Sequence, residues 1–527
     1  MALRKQTPAD QKIGATEPED SSIPRYLRVP EDCRKDEKLA FLKDHPSVGA
    51  VVWQRLYPSE TDGWVIIKKA WETDLFLPLG TKAAKAADSS SPQTVFKVFS
   101  GGVKTNRDEV TYDFAKDSLR DRVRRFIDDY NGEVDRYERS GNKQPVDEFV
   151  RYDKIKWSRD LKLDLQRGNY ATFDEKKIRT ALYRPFCRRW LFFDRILDEE
   201  VYVNPGIFPT PATEKENIII WAKVGTDWPF FCLASRCLVD VLPQSGSQCF
   251  PFYTYDEGKT NHRENITDWV LEHFRNRCKD KKITKWDIFY YVYGVLHHPE
   301  YRSKYAEDLK SELPRLPPVD NFWGFSKAGK ELAGLHIDYE KLEPWPLELI
   351  ETTAVTPASR RQPDSRRDGG ATASAAGTSP LQSASVAASL PRHGGVKPPL
   401  RQAERRAALQ SADPSLRSGP ALKVGATIPL SYRVEDKMRL AKDHRSLKVN
   451  DSLTLGGIPP ETFEYRLGNR SALEWVIDQY QVTEDKHSGI RSDPNRPDDP
   501  EYIVRLVGQV IRVSVETVKL VKSLPAL

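Results

Sequence analysis

No run of about 18 apolar residues occurs in the chain, so no segment has the length a membrane-crossing helix needs. The opening stretch, MALRKQTPADQKIGATEPEDSSIPR, lacks the apolar centre of a secretory signal. Together these absences predict a cytoplasmic protein with no membrane partner. Cysteine is scarce: Cys33, Cys187, Cys232, Cys237, Cys249 and Cys278 are too few and too scattered for a disulfide framework. Cys232 and Cys237 are the closest pair, and no second pair or nearby histidine completes a zinc site. Reduced, partly buried thiols are expected.

The familiar catalytic motifs are missing too. The Pro-Pro pairs follow Leu316, Lys397 and Ile458, so no Asn-Pro-Pro-aromatic tetrapeptide, the arrangement that holds the amino group of an extruded adenine, is present. A Gly-rich turn after a strand, suited to S-adenosylmethionine, is lacking, as is a Gly-x-Ser-x-Gly elbow. GFSKAGKE at 324–331 spaces Gly324, Gly329 and Lys330 like a phosphate-binding loop, but Glu331 stands where a Ser or Thr must hold magnesium. His298-Pro299-Glu300 has no Pro-Cys-x-x-Cys partner, and His297 and His298 have no third metal ligand near in sequence. Glu435-Asp436-Lys437 and Glu484-Asp485-Lys486 lack the preceding Pro-Asp of a nuclease site. The expectation is no catalytic residue, cofactor or metal in this chain.

What is present is positive charge, unevenly spread. The net charge is +6, and residues 352–427 alone carry 11 Lys+Arg against 4 Asp+Glu, or +7, leaving −1 for the remainder. That segment has no aromatic residue and is rich in Ala, Ser, Pro, Gly and Arg, so it is expected to be disordered. Residues 1–33, polar and without periodicity, predict a disordered leader. A second concentration, from Arg151 to Arg195, has 13 Lys+Arg against 6 Asp+Glu. Interleaved with it are Tyr152, Trp157, Tyr170, Phe173, Tyr183, Phe186, Trp190, Phe192 and Phe193. Cations with flat rings suit phosphates and bases; a solvated charged surface over an aromatic core has the same composition.

The remaining pattern predicts an α+β protein with a mixed sheet. Leu119, Val123, Phe126, Ile127 and Tyr130 fall at helical spacing after Ala115. Thr267 and Thr284 cap two further helices, the second burying a stripe of Trp286, Phe289, Tyr290, Tyr293 and Leu296. DEKKIRTALYRPF predicts a helix stopped by Pro185, with RRWLFFD as a strand after it. WVIIKKAW, NIIIWAKV, WPFFCLAS and SGSQCFPFYTY read as strands, and TKAAKAADSSSP as a loop. ALEWVIDQYQV and YIVRLVGQVIRVSVETVKLVKSL close the chain as helices.

Candidate contact residues follow from chemistry at turns. Lys104, Asn106 and Arg107 follow the Gly101-Gly102 turn, suited to phosphate or base contacts or to no contact at all. Arg184, Arg188 and Arg189 flank Pro185, and arginine matches guanine O6/N7 or phosphate; Arg184 equally suits an ion pair with Asp174 or Asp194. Gln244, Ser245, Ser247 and Gln248 lie in a polar loop suited to base edges.

Four separated stretches carry a family resemblance: SGGVKTNRDEVTYDF at 100–114, YRPFCRRWLFFD at 183–194, GSQCFPFYTY at 246–255 and YGVLHHPEYRSKYAEDLKSELPRLP at 293–317. They resemble, in the same order, the carboxy-terminal specificity region of type ISP restriction-modification enzymes. Members of that family join a nuclease, a translocating helicase, an adenine-N6 methyltransferase and a target-recognition domain in one polypeptide. The resemblance implies a module that reads double-stranded DNA. It implies S-adenosylmethionine, ATP and magnesium only for the full-length family, held there by parts not seen here. It implies the tail of a methyltransferase-like region over 34–99, a target-recognition core with helical spacer over 100–351, and its closing part over 428–527. The 352–427 insert departs from the family pattern, where ELIET runs almost directly into PLSYRVEDKM. Two alternatives stay open: a subunit completing a split enzyme with a separate methyltransferase or helicase chain, or an inert remnant of a broken gene.

Overall fold

The computed structural model describes residues 25–27, 29, 33, 35–55, 75–86, 92–141, 144–225, 228–242, 246–256, 261–351, 431–486 and 488–527. The expected disorder of residues 1–24 and 352–427, and the strand over WVIIKKAW, lie outside these. Arg25–Tyr26, assigned above to the leader, is a short strand paired antiparallel with Gln54–Arg55. Described residues on both sides of 353–428 belong to one compact unit. Its architecture is α+β, as the patterning predicts.

Two four-stranded sheets form its centre. One runs in the order Leu238–Val239, Ile178–Arg184, Cys187–Phe192, Tyr112–Asp113, parallel at the first pair and antiparallel after. The other is antiparallel throughout, in the order Ser100–Gly101, Ser247–Pro251, Ile219–Lys223, Cys232–Ser235. Val103 and Asp240, bridged in parallel, tie the two. A third sheet crosses the long insert: Glu348–Glu351 pairs with Leu453–Gly456, followed by Leu447–Lys448 and Arg439–Leu440.

Ile178–Arg184 is a strand where a helix was expected. Its side chains are buried on both faces, and it is held between Leu238–Val239 and Cys187–Phe192, so long-range pairing outweighs the helix propensity of its Ala, Leu and Arg. Pro185 and Phe186 make the hairpin turn rather than a helix stop. Phe186 takes a φ of 56°, a costly conformation for a bulky residue. Its ring is buried against Tyr339, His336 and Tyr465, which holds the turn in place. The expected loop over TKAAKAADSSSP contains a short helix, Lys82–Ala86.

The helices arise where local chemistry dictates them. Lys116–Arg139 buries all five residues named from its spacing, with Val134 and Tyr137 besides. Val270 N–H donates to the Thr267 hydroxyl at 3.2 Å, and Thr284 forms a reciprocal capping box with Asp287. Of the aromatic stripe, Phe289, Tyr293 and Leu296 are fully buried, whereas Trp286 and Tyr290 are half-buried, Trp286 stacking on Phe252. GFSKAGKE lies inside the helix Phe322–Ile337, so its glycines form no phosphate loop.

Candidate nucleic-acid interface

Most of the positive charge in the Arg151–Arg195 stretch is neutralised in the fold, with Arg151, Arg167 and Lys176 left exposed. Among the described residues, nine of its thirteen cations pair with carboxylates: Lys154, Lys156, Arg159, Lys162, Lys177, Arg179, Arg184, Arg188 and Arg195. Most partners come from outside the stretch, among them Asp129, Glu109, Asp147, Glu214, Asp240 and Glu340. Trp157, Tyr183, Phe186 and Phe192 are buried; only Tyr152 and Tyr170 are well exposed. This stretch is thus an ion-paired frame around an aromatic core.

Three of the expected contact residues, Arg107, Arg184 and Ser247, are buried in the fold. Arg107 is fully buried, donating to the Leu197 carbonyl and the Ser158 hydroxyl. Arg184 pairs at 2.6 Å with Asp240, not with Asp174 or Asp194, and lies over the Tyr183 ring; burial pushes the Asp240 carboxyl up to about 7 against the pull of this guanidinium. Ser247 is buried, its hydroxyl donating to the Asp240 carbonyl at 2.9 Å. None of these side chains can reach DNA without giving up an internal partner. Arg188 is likewise engaged, bonded to Glu340 at 2.6 Å and the Ile337 carbonyl at 2.7 Å. Gln248 is half-buried in the central strand of its sheet. Gln244 and Ser245 lie outside the described residues.

The others line two clefts that share a wall at Asp108 and Glu109. In one, of about 400 Å³, Lys104, Asn106 and Lys156 line a space bounded by Val241 and Leu242. In the other, of about 330 Å³, Arg189 and Arg122 face the hairpin Thr483–Ser492, including Arg491. Arg189 has no carboxylate partner among the described residues and lies over the rings of Phe114 and Tyr183 at 4.3 and 4.2 Å. The fold brings Lys104, Asn106 and Arg189 together on these two adjoining surfaces and separates them from Arg188 and Gln248.

The family model of the Type ISP C-terminal specificity domain matches residues 94–506, most of the chain. The chain belongs to this family. No curated protein matches it. Its fold is similar to three solved structures. In the cryoEM structure of the DrdV-DNA complex, identity is 28% with a TM-score of 0.69, covering 95% of this chain and 43% of the other. A nuclease-deletion mutant of the Type ISP restriction-modification enzyme LlaGI, in complex with a DNA substrate mimic, gives 29% and 0.65 over 93% and 38%. The ATP-dependent Type ISP enzyme LlaBIII, bound to DNA, gives 25% and 0.65 over 93% and 27%. The chain therefore spans less than half the length of each of these proteins.

One basic feature of this specificity domain was missed in the sequence. The hairpin joining Arg439–Leu440 to Leu447–Lys448 exposes Lys437, Arg439, Lys442, Arg445 and Lys448 around a turn in which His444 has a φ of 60°. Lys442 and Arg445 have no ion-pair partner among the described residues. The signal was legible: residues 436–448 hold five Lys+Arg against two Asp. Among the described residues no group of three or more His, Cys, Asp or Glu is arranged to hold a metal ion, and no helix is long and apolar enough to cross a membrane.

Proposed function

We propose that this chain reads a specific sequence in double-stranded DNA, as the recognition part of a Type ISP-like restriction-modification enzyme. The observation that carries this reading is the specificity-domain match over 94–506 on a fold similar to three proteins solved with DNA. The structure supports a division of labour. Exposed cations without internal partners, Lys442 and Arg445, suit phosphates, while the cleft beside Asn106, whose lining cations and carboxylates balance, suits base edges. Such a role fits a cytoplasmic protein. We further propose that methyltransferase and helicase parts, carried in the same polypeptide or on a separate methyltransferase or helicase chain, supply the chemistry. S-adenosylmethionine, ATP and magnesium would then be held there.

Binding of the 527-residue chain to random duplex DNA at 50 and 200 mM salt, followed by selection and sequencing of bound fragments, tests the reading. An enriched motif is expected, with affinity falling about 100-fold between the two salts if about four phosphates are neutralised. Lys442→Ala with Arg445→Ala should flatten that salt dependence while leaving the motif unchanged. Absence of any enriched motif would contradict self-sufficient recognition.

A further inference from the structure

Val103, Thr105 and Arg107 are all but completely buried, and Asn106, among them, is exposed. The turn that presents it is fastened on every side. Val103 N–H donates to the Val239 carbonyl at 2.8 Å, and Val241 N–H to the Val103 carbonyl at 3.0 Å. Lys104 and Glu200 exchange both backbone bonds at 2.9 Å. The Thr105 hydroxyl donates to Asp108, and Arg107 anchors the far side through Leu197 and Ser158. Asn106 itself has a φ of 57°, a region asparagine tolerates better than most residues. Leu242, across the same cleft, is also left-handed at 62°. Non-glycine residues held in this region concentrate at ligand-contacting sites, where the surrounding structure maintains them.

The Asn106 amide has no hydrogen-bond partner among the described residues, so one donor and one acceptor stand ready on a backbone that need not be ordered on binding. Surrounding charges are largely satisfied. Lys156 pairs with Glu109 at 3.2 Å, Asp108 accepts from the Tyr183 hydroxyl at 2.7 Å, and Arg184 pairs with Asp240. Such a cleft offers little net charge to a phosphate and one neutral amide to a base edge. An asparagine amide matches the N6 donor and N7 acceptor of adenine in the major groove, two bonds at once.

We infer that Asn106 is a specificity-determining residue that reads an adenine of the target. This rests on the DNA-reading function proposed above. The test is selection and sequencing with the unaltered chain, Asn106→Gly and Asn106→Asp. Glycine removes the amide and keeps the positive φ, and aspartate keeps the shape but only accepts, which suits the cytosine N4 donor. The expected result is one adenine position in the motif that loses about 5- to 100-fold discrimination in Asn106→Gly and moves toward cytosine in Asn106→Asp. The salt dependence should not change, since no charge is lost in the glycine variant. Placing 7-deazaadenine at that position should weaken binding by the unaltered chain and not by Asn106→Gly. Lys104→Ala, in contrast, should weaken all sequences alike. A motif that survives both Asn106 variants unchanged overturns this inference and leaves the DNA reading standing. Relaxation at a base other than adenine overturns the adenine assignment. No motif from the unaltered chain contradicts self-sufficient recognition and overturns this inference with it.

Discussion

Gly329→Ala is expected to cost about 3 kcal/mol or more of folding stability, while Gly334→Ala in the same helix gains about 0.5–1 kcal/mol. The helices Lys285–His297 and Phe322–Ile337 cross with their backbones in contact. A Cβ at Gly329 would collide with the Tyr290 carbonyl oxygen and lie 2.8 Å from the Gly294 nitrogen. Reciprocally, a Cβ at Gly294 would strike the Phe325 carbonyl oxygen. A carbonyl inside a helix cannot yield without moving its helix, and both helices are packed into one core. Nothing lies within 4 Å of a Cβ at Gly334, which is exposed, so there alanine brings only its better helix propensity. Urea midpoints of the two variants measure the contrast. Similar midpoints would show that the helices do not depend on this backbone contact.

These glycines also show how far the sequence could be read. Gly324, Gly329 and Lys330 imitate a phosphate loop, but spacing alone cannot tell a loop from a helix crossing; the distinguishing partner, Gly294, lies 35 residues upstream of Gly329. Where the determining chemistry is local, the reading held: Thr267 and Thr284 cap helices because a hydroxyl three residues from a free N–H suffices. Where it is remote, the reading failed. Arg188 is 152 residues from Glu340, so a locally basic stretch gave no sign of its neutralisation. The same effect turned Ile178–Arg184 into an expected helix: its partners, Cys187–Phe192 across the turn and Leu238–Val239 more than 50 residues on, lie outside the window in which helix propensity is read. Asn106 was legible as a turn residue, but its isolation among three buried neighbours was not. The strands Arg439–Leu440 and Leu447–Lys448 fall within stretches that read as strands, SYRVEDKMRL and SLKVNDSLTLGGIP, but the basic charge that their turn exposes was passed over although the composition of 436–448 carries it.

Replacing His336 should reveal a pH-dependent contribution that no surface group can give. His336 is buried where the helices Lys285–His297, Phe322–Ile337 and Tyr502–Lys522 meet, 2.6 Å from the Tyr293 hydroxyl, 3.0 Å from that of Thr517 and 3.1 Å from that of Tyr465. Tyr293 in turn accepts from Ala234 N–H at 2.8 Å. Burial, with Arg302 adding repulsion, pushes the imidazole down to about 3, and burial pushes His297, with its ring 5.3 Å away, well below its ordinary value. A folded pKa below the unfolded value of about 6.5 leaves stability intact above that pH. As pH falls below it, the unfolded chain takes up a proton the folded one refuses, and stability drops by about 1.4 kcal/mol per pH unit for each such histidine. Asp240 works oppositely: its raised carboxyl takes up a proton first in the folded state, so its stabilisation is lost as pH rises through about 7. A single acid-unfolding curve mixes these effects, and a difference between proteins separates them. His336→Asn should therefore be destabilising at pH 7.5, through the lost contacts, with that cost shrinking by about 2 kcal/mol at pH 5. Urea unfolding of both proteins at the two pH values gives the difference directly. A cost that stays constant with pH would mean that His336 is protonated in the fold, contrary to its burial among three neutral hydroxyls.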